Sequence, residues 1–189
     1  MAIKTFTTGE VLTASDTNTY LANAGLEYIT AGTATAQNRL NIASCFSATY
    51  AAYRVVITNL THSTANNLIM RFSASGTDTT GANYYTQRSE VNGSAVSGVS
   101  ITGSSAIFPT YANSSAGSFV SMSFDVINPF AATPTTVTGG ANRIDGSTNL
   151  YMVTFSGLLN DTTSYNGISL VGNTGNITCT MRVYGYRQA

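Results

Sequence analysis

The stretch Ser118-Phe-Val-Ser-Met-Ser-Phe-Asp-Val-Ile-Asn128 decides the fold class of this 189-residue chain. Large apolar side chains occupy every second position of it: Val120, Met122, Phe124 and Val126. Because successive side chains of a β-strand point to opposite faces, this pattern predicts a strand with one buried and one solvated face. The segment 177–186 alternates in the same way and predicts a second such strand.

Runs of β-branched, aromatic and alternating residues predict more strands along the chain. Their ranges are 27–31, 40–46, 53–60, 68–72, 82–91, 99–108, 135–139, 151–155 and 166–171. Turn residues separate these runs, and Asn92-Gly93 predicts a β-hairpin. Since no helical stretch intervenes between the strands, we predict an all-β fold, an antiparallel β-sandwich of jelly-roll-like type.

The first 26 residues differ from the rest, and we assign 1–26 to an arm and 27–189 to the β-sandwich domain. Thr13 or Ser15 suits the start of a short helix, and Gly25 suits its end. A helix of this length is marginal alone in water, so it has to dock either on its own domain or on a partner.

The composition excludes several classes of function. Only 8% of the residues are charged and the formal net charge is zero, against about 25% charged residues in an average domain. Thr, Ser and Asn together number 68, so hydroxyls and amides must form most of the polar surface. A neutral chain without a basic run is not an electrostatic nucleic-acid binder, and apolar runs this short do not insert into a membrane.

Catalytic chemistry is not indicated by the sequence. His62 is the only histidine; it stands between Thr and Ser, and we predict that it lies in a solvated loop. The carboxylates are scattered singly, so we expect no enzyme, no catalytic or metal site and no cofactor. We expect Cys45 and Cys179 to be buried free thiols, with a disulfide between them as the alternative.

Tyrosine is the one enriched aromatic residue, with eleven Tyr and no Trp. Tyrosine and arginine are enriched both at subunit interfaces and on adaptable recognition surfaces. We therefore predict a subunit interface, with glycan or receptor contact as the alternative. The candidate residues are Tyr84, Tyr85, Tyr111, Tyr165, Arg182, Tyr184 and Tyr186.

The segment KTFTTGEVLTASDTNTYL, residues 4–21, resembles a leader of tailed-bacteriophage virion proteins. The rest is similar to a phage β-sandwich module, with its YxxYRVVI strand (50–57), LxMRF strand (68–72), GANYY segment (81–85) and closing RVYGY (182–186). The resemblance implies that the leader attaches the chain to a virus particle. The anchoring residues would be Phe6, Val11, Leu12, Tyr20 and Leu21.

From this resemblance we expect a non-enzymatic structural component of a tailed-phage virion, assembled in the host cytoplasm. We favour a short tail fibre or receptor-binding appendage, and the alternative is a head decoration or minor capsid protein. A carbohydrate-binding module is the alternative of another class. The expected partners are further copies of the chain in a symmetric homo-oligomer, with a trimer favoured, other virion proteins through residues 1–26, and a host surface glycan.

Overall fold

A computed structural model describes residues 7–11, 13, 15 and 25–187, and this part of the chain is all-β. Every strand pairing in it is antiparallel. The strands of the described residues are β1 Leu26–Gln37, β2 Arg39–Ile42, β3 Ala52–His62, β4 Asn66–Asn67, β5 Ile69–Ala74, β6 Thr77–Asp78, β7 Tyr84–Asn92, β8 Ala95–Ser104, β9 Tyr111–Ala112, β10 Phe119–Ile127, β11 Thr135–Ile144, β12 Leu150–Leu159, β13 Gly167–Val171 and β14 Ile177–Tyr186.

The strands form one large sheet and two smaller ones. The large sheet has eight strands in the order β1-β14-β3-β10-β11-β12-β7-β8, the second sheet is β2-β13-β5-β6, and β4 pairs with β9. Alternate side chains of the large sheet share one hydrophobic core with the second sheet. The fold is therefore sandwich-like, and the other face of the large sheet is its outer face.

The alternating segments behave as their patterns predict. The strand expected at 177–186 has those bounds, and the deciding stretch 118–128 forms β10. Asn92 pairs with Ala95 across a tight turn in which Gly93 has a φ of 57°, so the predicted hairpin is confirmed. The predicted strand 40–46 ends at Ile42, because Ser44 adopts a φ of 57° that an extended strand does not contain. The predicted N-terminal helix falls almost entirely outside the described residues.

Two phenylalanine rings meet across a glycine in the middle of the large sheet. Phe124 on β10 and Phe155 on β12 both pair with Gly139 of β11. Their ring centroids are 5.8 Å apart in an edge-to-face arrangement. A Cβ atom at Gly139 would lie 2.3 Å from the Cβ of Phe124 and 2.4 Å from the Ser123 carbonyl oxygen, so the close approach of β10 leaves no room for a side chain at this position.

We expect Gly139→Ala to lower the free energy of unfolding by about 3 kcal/mol, because an added methyl group in a filled core forces its neighbours apart. Urea denaturation followed by circular dichroism measures this change. Gly98→Ala is the matched control, since its new methyl group would meet only the Arg88 carbonyl oxygen at 3.9 Å. Equal stability of the two variants would contradict the role of Gly139.

Candidate functional site

The predicted contact residues do not form one cluster. Tyr84 and Tyr165 lie in the core, with exposed fractions of 0% and 3%. The hydroxyl group of Tyr84 accepts a hydrogen bond from the Phe72 amide at 3.0 Å, and the Tyr165 ring packs on Phe72 with centroids 6.0 Å apart. The interface prediction is wrong for these two residues, because both rings fill the space between the two sheets.

Arg182, Tyr184 and Tyr186 lie on the outer face of β14, as the alternation predicts. Tyr184 pairs with Tyr28 of β1, and their rings meet edge to face at 5.7 Å. We call the region where β1 begins and β14 ends the arm corner, because residues 1–24 precede it in the chain.

An ion pair holds the neighbouring strands together at the arm corner. Arg54 of β3 donates two hydrogen bonds of 2.7 Å to Asp125 of β10. The Tyr186 hydroxyl donates a third hydrogen bond to Asp125, at 2.8 Å. The hydrogen bonds from Arg54, more than that from Tyr186, lower the pKa of the Asp125 carboxyl group. This network fixes Tyr186 over the sheet.

A second polar group lies beside it at the start of β1. The Glu27 carboxylate accepts hydrogen bonds from the Tyr50 hydroxyl at 2.6 Å and from Arg187 Nε at 2.8 Å. The Tyr50 ring lies directly on Gly185, where a Cβ atom would come within 2.6 Å of it. Because Glu27 pairs with inward-facing Gly185 and Asp125 lies on the outer face, the arm corner carries an ion pair on each face of the sheet.

The other two predicted tyrosines lie elsewhere. Tyr85 is 37% exposed on the outer face of β7. Tyr111 is half-buried in the small β4–β9 sheet. Neither contacts Arg182, Tyr184 or Tyr186 through a ring interaction or hydrogen bond that the described residues show. The prediction that these tyrosines form an interface therefore stays a prediction for five of the seven residues.

Of the predicted anchoring residues, only Val11 is described, and its side chain is 78% exposed. Beside it, Thr7 and Glu10 form a turn in which each residue binds the other: the Glu10 amide donates to the Thr7 carbonyl oxygen, and the Thr7 amide donates to the Glu10 carboxylate. Phe6, Leu12, Tyr20 and Leu21 lie outside the described residues.

The outer face of the other half of the large sheet is almost without charge. On β10, β11, β12, β7 and β8, the only charged residue at an outward position is Asp125. Hydroxyl and amide side chains pair with one another instead: Ser89 with Thr154 at 2.7 Å, and Gln87 with Ser100 at 2.7 Å. A shallow depression of about 450 Å³ lies over Gly140, where no side chain projects.

The remaining charged residues of these five strands point inward. Arg88 and Glu90 on β7 and Arg143 on β11 form a buried cluster: Glu90 lies 3.0 Å from Arg88 Nε and 3.0 Å from Arg143 Nη2. Arg143 also stacks on the Tyr151 ring, 3.6 Å from its centroid. Two guanidinium groups thus share one carboxylate inside the sandwich. The sequence pattern gives no indication of this cluster.

The cluster is imperfectly hydrogen-bonded within the described residues. The Nε atoms of Arg88 and Arg143 and Oε1 of Glu90 are buried without a well-directed hydrogen bond. Arg88 Nε is close to Glu90 but poorly oriented towards it. Burial is the main influence on Arg88 and lowers the pKa of its guanidinium group, while Glu90 opposes this effect. Glu90 is thus the only anion that balances two buried cations in the cluster.

His62 is buried rather than solvated, so that prediction is wrong. It is the last residue of β3, where it pairs with Ile177 of β14. Its Nε2 atom lies 2.7 Å from the Gly172 carbonyl oxygen, and its Nδ1 atom contacts Thr64. Backbone groups therefore surround the ring, and the described residues contain no group of His, Cys, Asp and Glu side chains that could hold a metal ion.

The two cysteines are buried and free, as predicted. Burial raises the pKa of the Cys45 thiol to about 12 and that of Cys179 to about 11. Because the thiolate is the reactive form, both side chains are poor nucleophiles.

No helix among the described residues has the length and apolar character needed to span a membrane. In comparisons with known proteins, the chain matches no family model, no curated protein and no solved structure. The candidate site therefore has to be judged on its own geometry.

We expect Glu90→Gln to lower the free energy of unfolding by about 3 kcal/mol, because it leaves two buried guanidinium groups without an anion. Glu27→Gln makes the same substitution in an ion pair whose carboxylate side chain is 40% exposed, and we expect a much smaller loss of stability. Urea denaturation of both variants measures the difference. A Glu90→Gln protein as stable as Glu27→Gln would show that the cluster is not held by charge.

Stability should fall in acid as Asp125 becomes protonated. The pKa of Asp125 is lower in the folded protein than its ordinary value of 3.8. The ion pair therefore stabilises the fold fully above pH 3.8, and this contribution is lost as the pH falls through the lower pKa of the folded protein. We expect the contribution to be about 1 kcal/mol, since the pair is partly exposed. Asp125→Asn should remove this part of the pH dependence between pH 7 and pH 2, as measured by thermal unfolding. An unchanged pH profile would exclude the ion pair as its source.

Proposed function

We propose that this protein is a non-enzymatic structural subunit of a tailed-phage particle, anchored by residues 1–26 and displaying its β-domain as a short tail fibre or receptor-binding appendage. The resemblance of residues 4–21 to virion leaders is the basis for the phage assignment. The observation that carries the structural role is the uncharged outer face of β10, β11, β12, β7 and β8. Covering hydroxyl and amide side chains, some of which already bond to one another within the sheet, costs less desolvation energy than covering charged side chains.

The proposal includes a division of the chain at residue 26 and a jelly-roll-like topology for the β-domain. Support for this topology comes from the path of the chain, which passes from β1 in the large sheet to β2 in the second sheet and returns to β3. Near the other end it passes from β12 through β13 to β14 in the same way. We also propose that the subunit forms a symmetric homo-oligomer, a trimer, assembled in the host cytoplasm, where the free thiols of Cys45 and Cys179 would stay reduced.

A carbohydrate-binding module is the second candidate, and the depression over Gly140 favours it. Its rim carries Ser121, Ser123, Asn142 and Thr154, which offer hydrogen bonds to a sugar. No aromatic ring lines it, although glycan sites commonly use one for stacking. Binding of a glycan array by the full-length chain, lost in Asn142→Ala and kept in Asn38→Ala, would favour this function over a purely structural one.

The anchor is tested on particles. We expect the full-length chain to be found by mass spectrometry in density-purified phage particles from a strain that carries its gene. A chain that lacks residues 1–26 should be absent from those particles, because the leader makes the attachment. Electron microscopy with an antibody against the chain then distinguishes a tail appendage from a head decoration.

The control is a full-length chain with Thr33→Lys, an exposed position of β1 that leaves the leader intact. Circular dichroism of the truncated chain has to retain the β spectrum, so that loss of attachment is separated from loss of folding. Incorporation of a folded chain without residues 1–26 would overturn the anchoring role. Absence of the full-length chain from particles would overturn the virion assignment.

A further inference from the structure

An exposed apolar patch crosses five strands at the corner of the large sheet that is diagonally opposite to the arm corner. Strand register places its members side by side on the outer face: Phe119 opposite Ile144, Ile144 opposite Leu150, Met152 opposite Val91, and Val91 opposite Val96. We call these six residues the apolar patch.

Four members of the patch are large apolar side chains with high exposure. The exposed fractions are 44% for Phe119, 57% for Leu150, 54% for Met152 and 72% for Val96. Single exposed apolar residues are ordinary, but a contiguous group of this kind marks an interaction surface. The patch therefore needs an occupant.

We propose that the occupant is a second copy of this chain, which packs on the outer face of β10, β11, β12, β7 and β8 with the apolar patch in the contact. The proposal deepens the structural function proposed above, because it assigns the surface through which the subunits associate.

Charge is the first argument for a second copy. The outward side chains around the patch are uncharged, and Asp125 is at the other end of β10, paired with Arg54. A face without charge has nothing to attract a charged partner, and it meets a second copy of itself without like-charge repulsion. The charges of these strands are buried beneath the patch, in the Arg88–Glu90–Arg143 cluster.

Area is the second argument. Five strands spaced about 4.8 Å apart and nine residues long, at about 3.3 Å per residue, cover about 700 Å². A stable protein interface buries about 800 Å² on each partner. The uncharged face is therefore of the size that a lasting contact between subunits requires.

The position of the arm is the third argument. Leu26, where the described part of the domain begins, pairs with Tyr186 at the opposite edge and the opposite end of the sheet from Val96. The start of β1 is thus far from the patch, so the point at which the arm joins the domain lies outside the surface proposed for association.

The test uses the full-length chain in sedimentation velocity over a wide range of concentration. We expect the wild-type chain to associate, and Met152→Lys to weaken the association about 30-fold or more, because the ammonium group is desolvated in the contact. Met152→Leu should keep the association. Thr33→Lys is the matched control, since it adds the same charge at an exposed outward position of β1 and should leave the association unchanged. A monomeric wild-type chain, or a Met152→Lys chain that associates normally, would overturn the proposal.

Thiol labelling then locates the contact. Cys45 and Cys179 are buried. In the variants Val96→Cys and Thr33→Cys, the introduced cysteine is therefore the thiol that a dye reaches readily. We expect the dye to react more slowly with Val96→Cys as the protein concentration rises, and at a constant rate with Thr33→Cys. Protection of Val96→Cys in a chain that sedimentation shows to be monomeric would point to the chain's own arm as the occupant and would overturn the proposal.

The two proposals fail separately. A monomeric chain that still enters particles would overturn the proposed association through the apolar patch and leave the virion function supported. The opposite result is a chain that is absent from particles but forms an oligomer that the Met152→Lys substitution dissociates. This result would support association through the apolar patch and overturn the virion function.

Discussion

The buried Arg88–Glu90–Arg143 cluster is the constraint on which one half of the large sheet depends. Each of the three side chains occupies an inward position of its strand, so the register that buries them also fixes which side chains of β7 and β11 face outward. A shift by one residue would expose the cluster and bury the hydroxyl side chains in its place. Burial of the cluster costs desolvation energy, and a single carboxylate pairs with both guanidinium groups. This geometry favours the observed strand register over one shifted by a single residue.

The same arrangement explains how a chain with so few charges can present a face that is almost free of them. Three of the four charged residues in β10, β11, β12 and β7 are inside the sandwich. The outward positions hold Ser, Thr, Asn and Gln besides the apolar patch, and some of these polar side chains bond across the strands, as Ser89 does with Thr154. Because these bonds lie within the sheet, they persist when another surface covers it. The low charge of this outer face thus results from the fold, which places three charged side chains inside, as well as from the composition of the chain.

Strict alternation made β10 and β14 predictable from the sequence, because a single apolar face allows only one orientation of the strand. Strand β7 was different: its inward side carries Thr86, Arg88 and Glu90, and a polar inward face looks like a solvated one. Adjacent Tyr84 and Tyr85 also could not be distinguished locally. Tyr84 faces inward, where its ring packs in the core and its hydroxyl group accepts a hydrogen bond from the Phe72 amide. His62 appeared to belong to a loop, since the pairing that extends β3 comes from Ile177, more than a hundred residues away.

The two corners of the large sheet differ in charge: both expose large apolar side chains, which at the arm corner are Leu26 and Tyr28, but the arm corner adds exposed ion pairs. The arm corner holds the exposed ion pairs of Arg54 with Asp125 and of Arg187 with Glu27, which stay hydrated and suit contact with a polar neighbour or solvent. The opposite corner exposes apolar side chains over buried charges. A molecule built in this way has two chemically different ends on one rigid sheet. In the proposed function, attachment through the arm at one corner leaves the apolar patch at the other corner available for association, and the strand order sets the direction from one corner to the other.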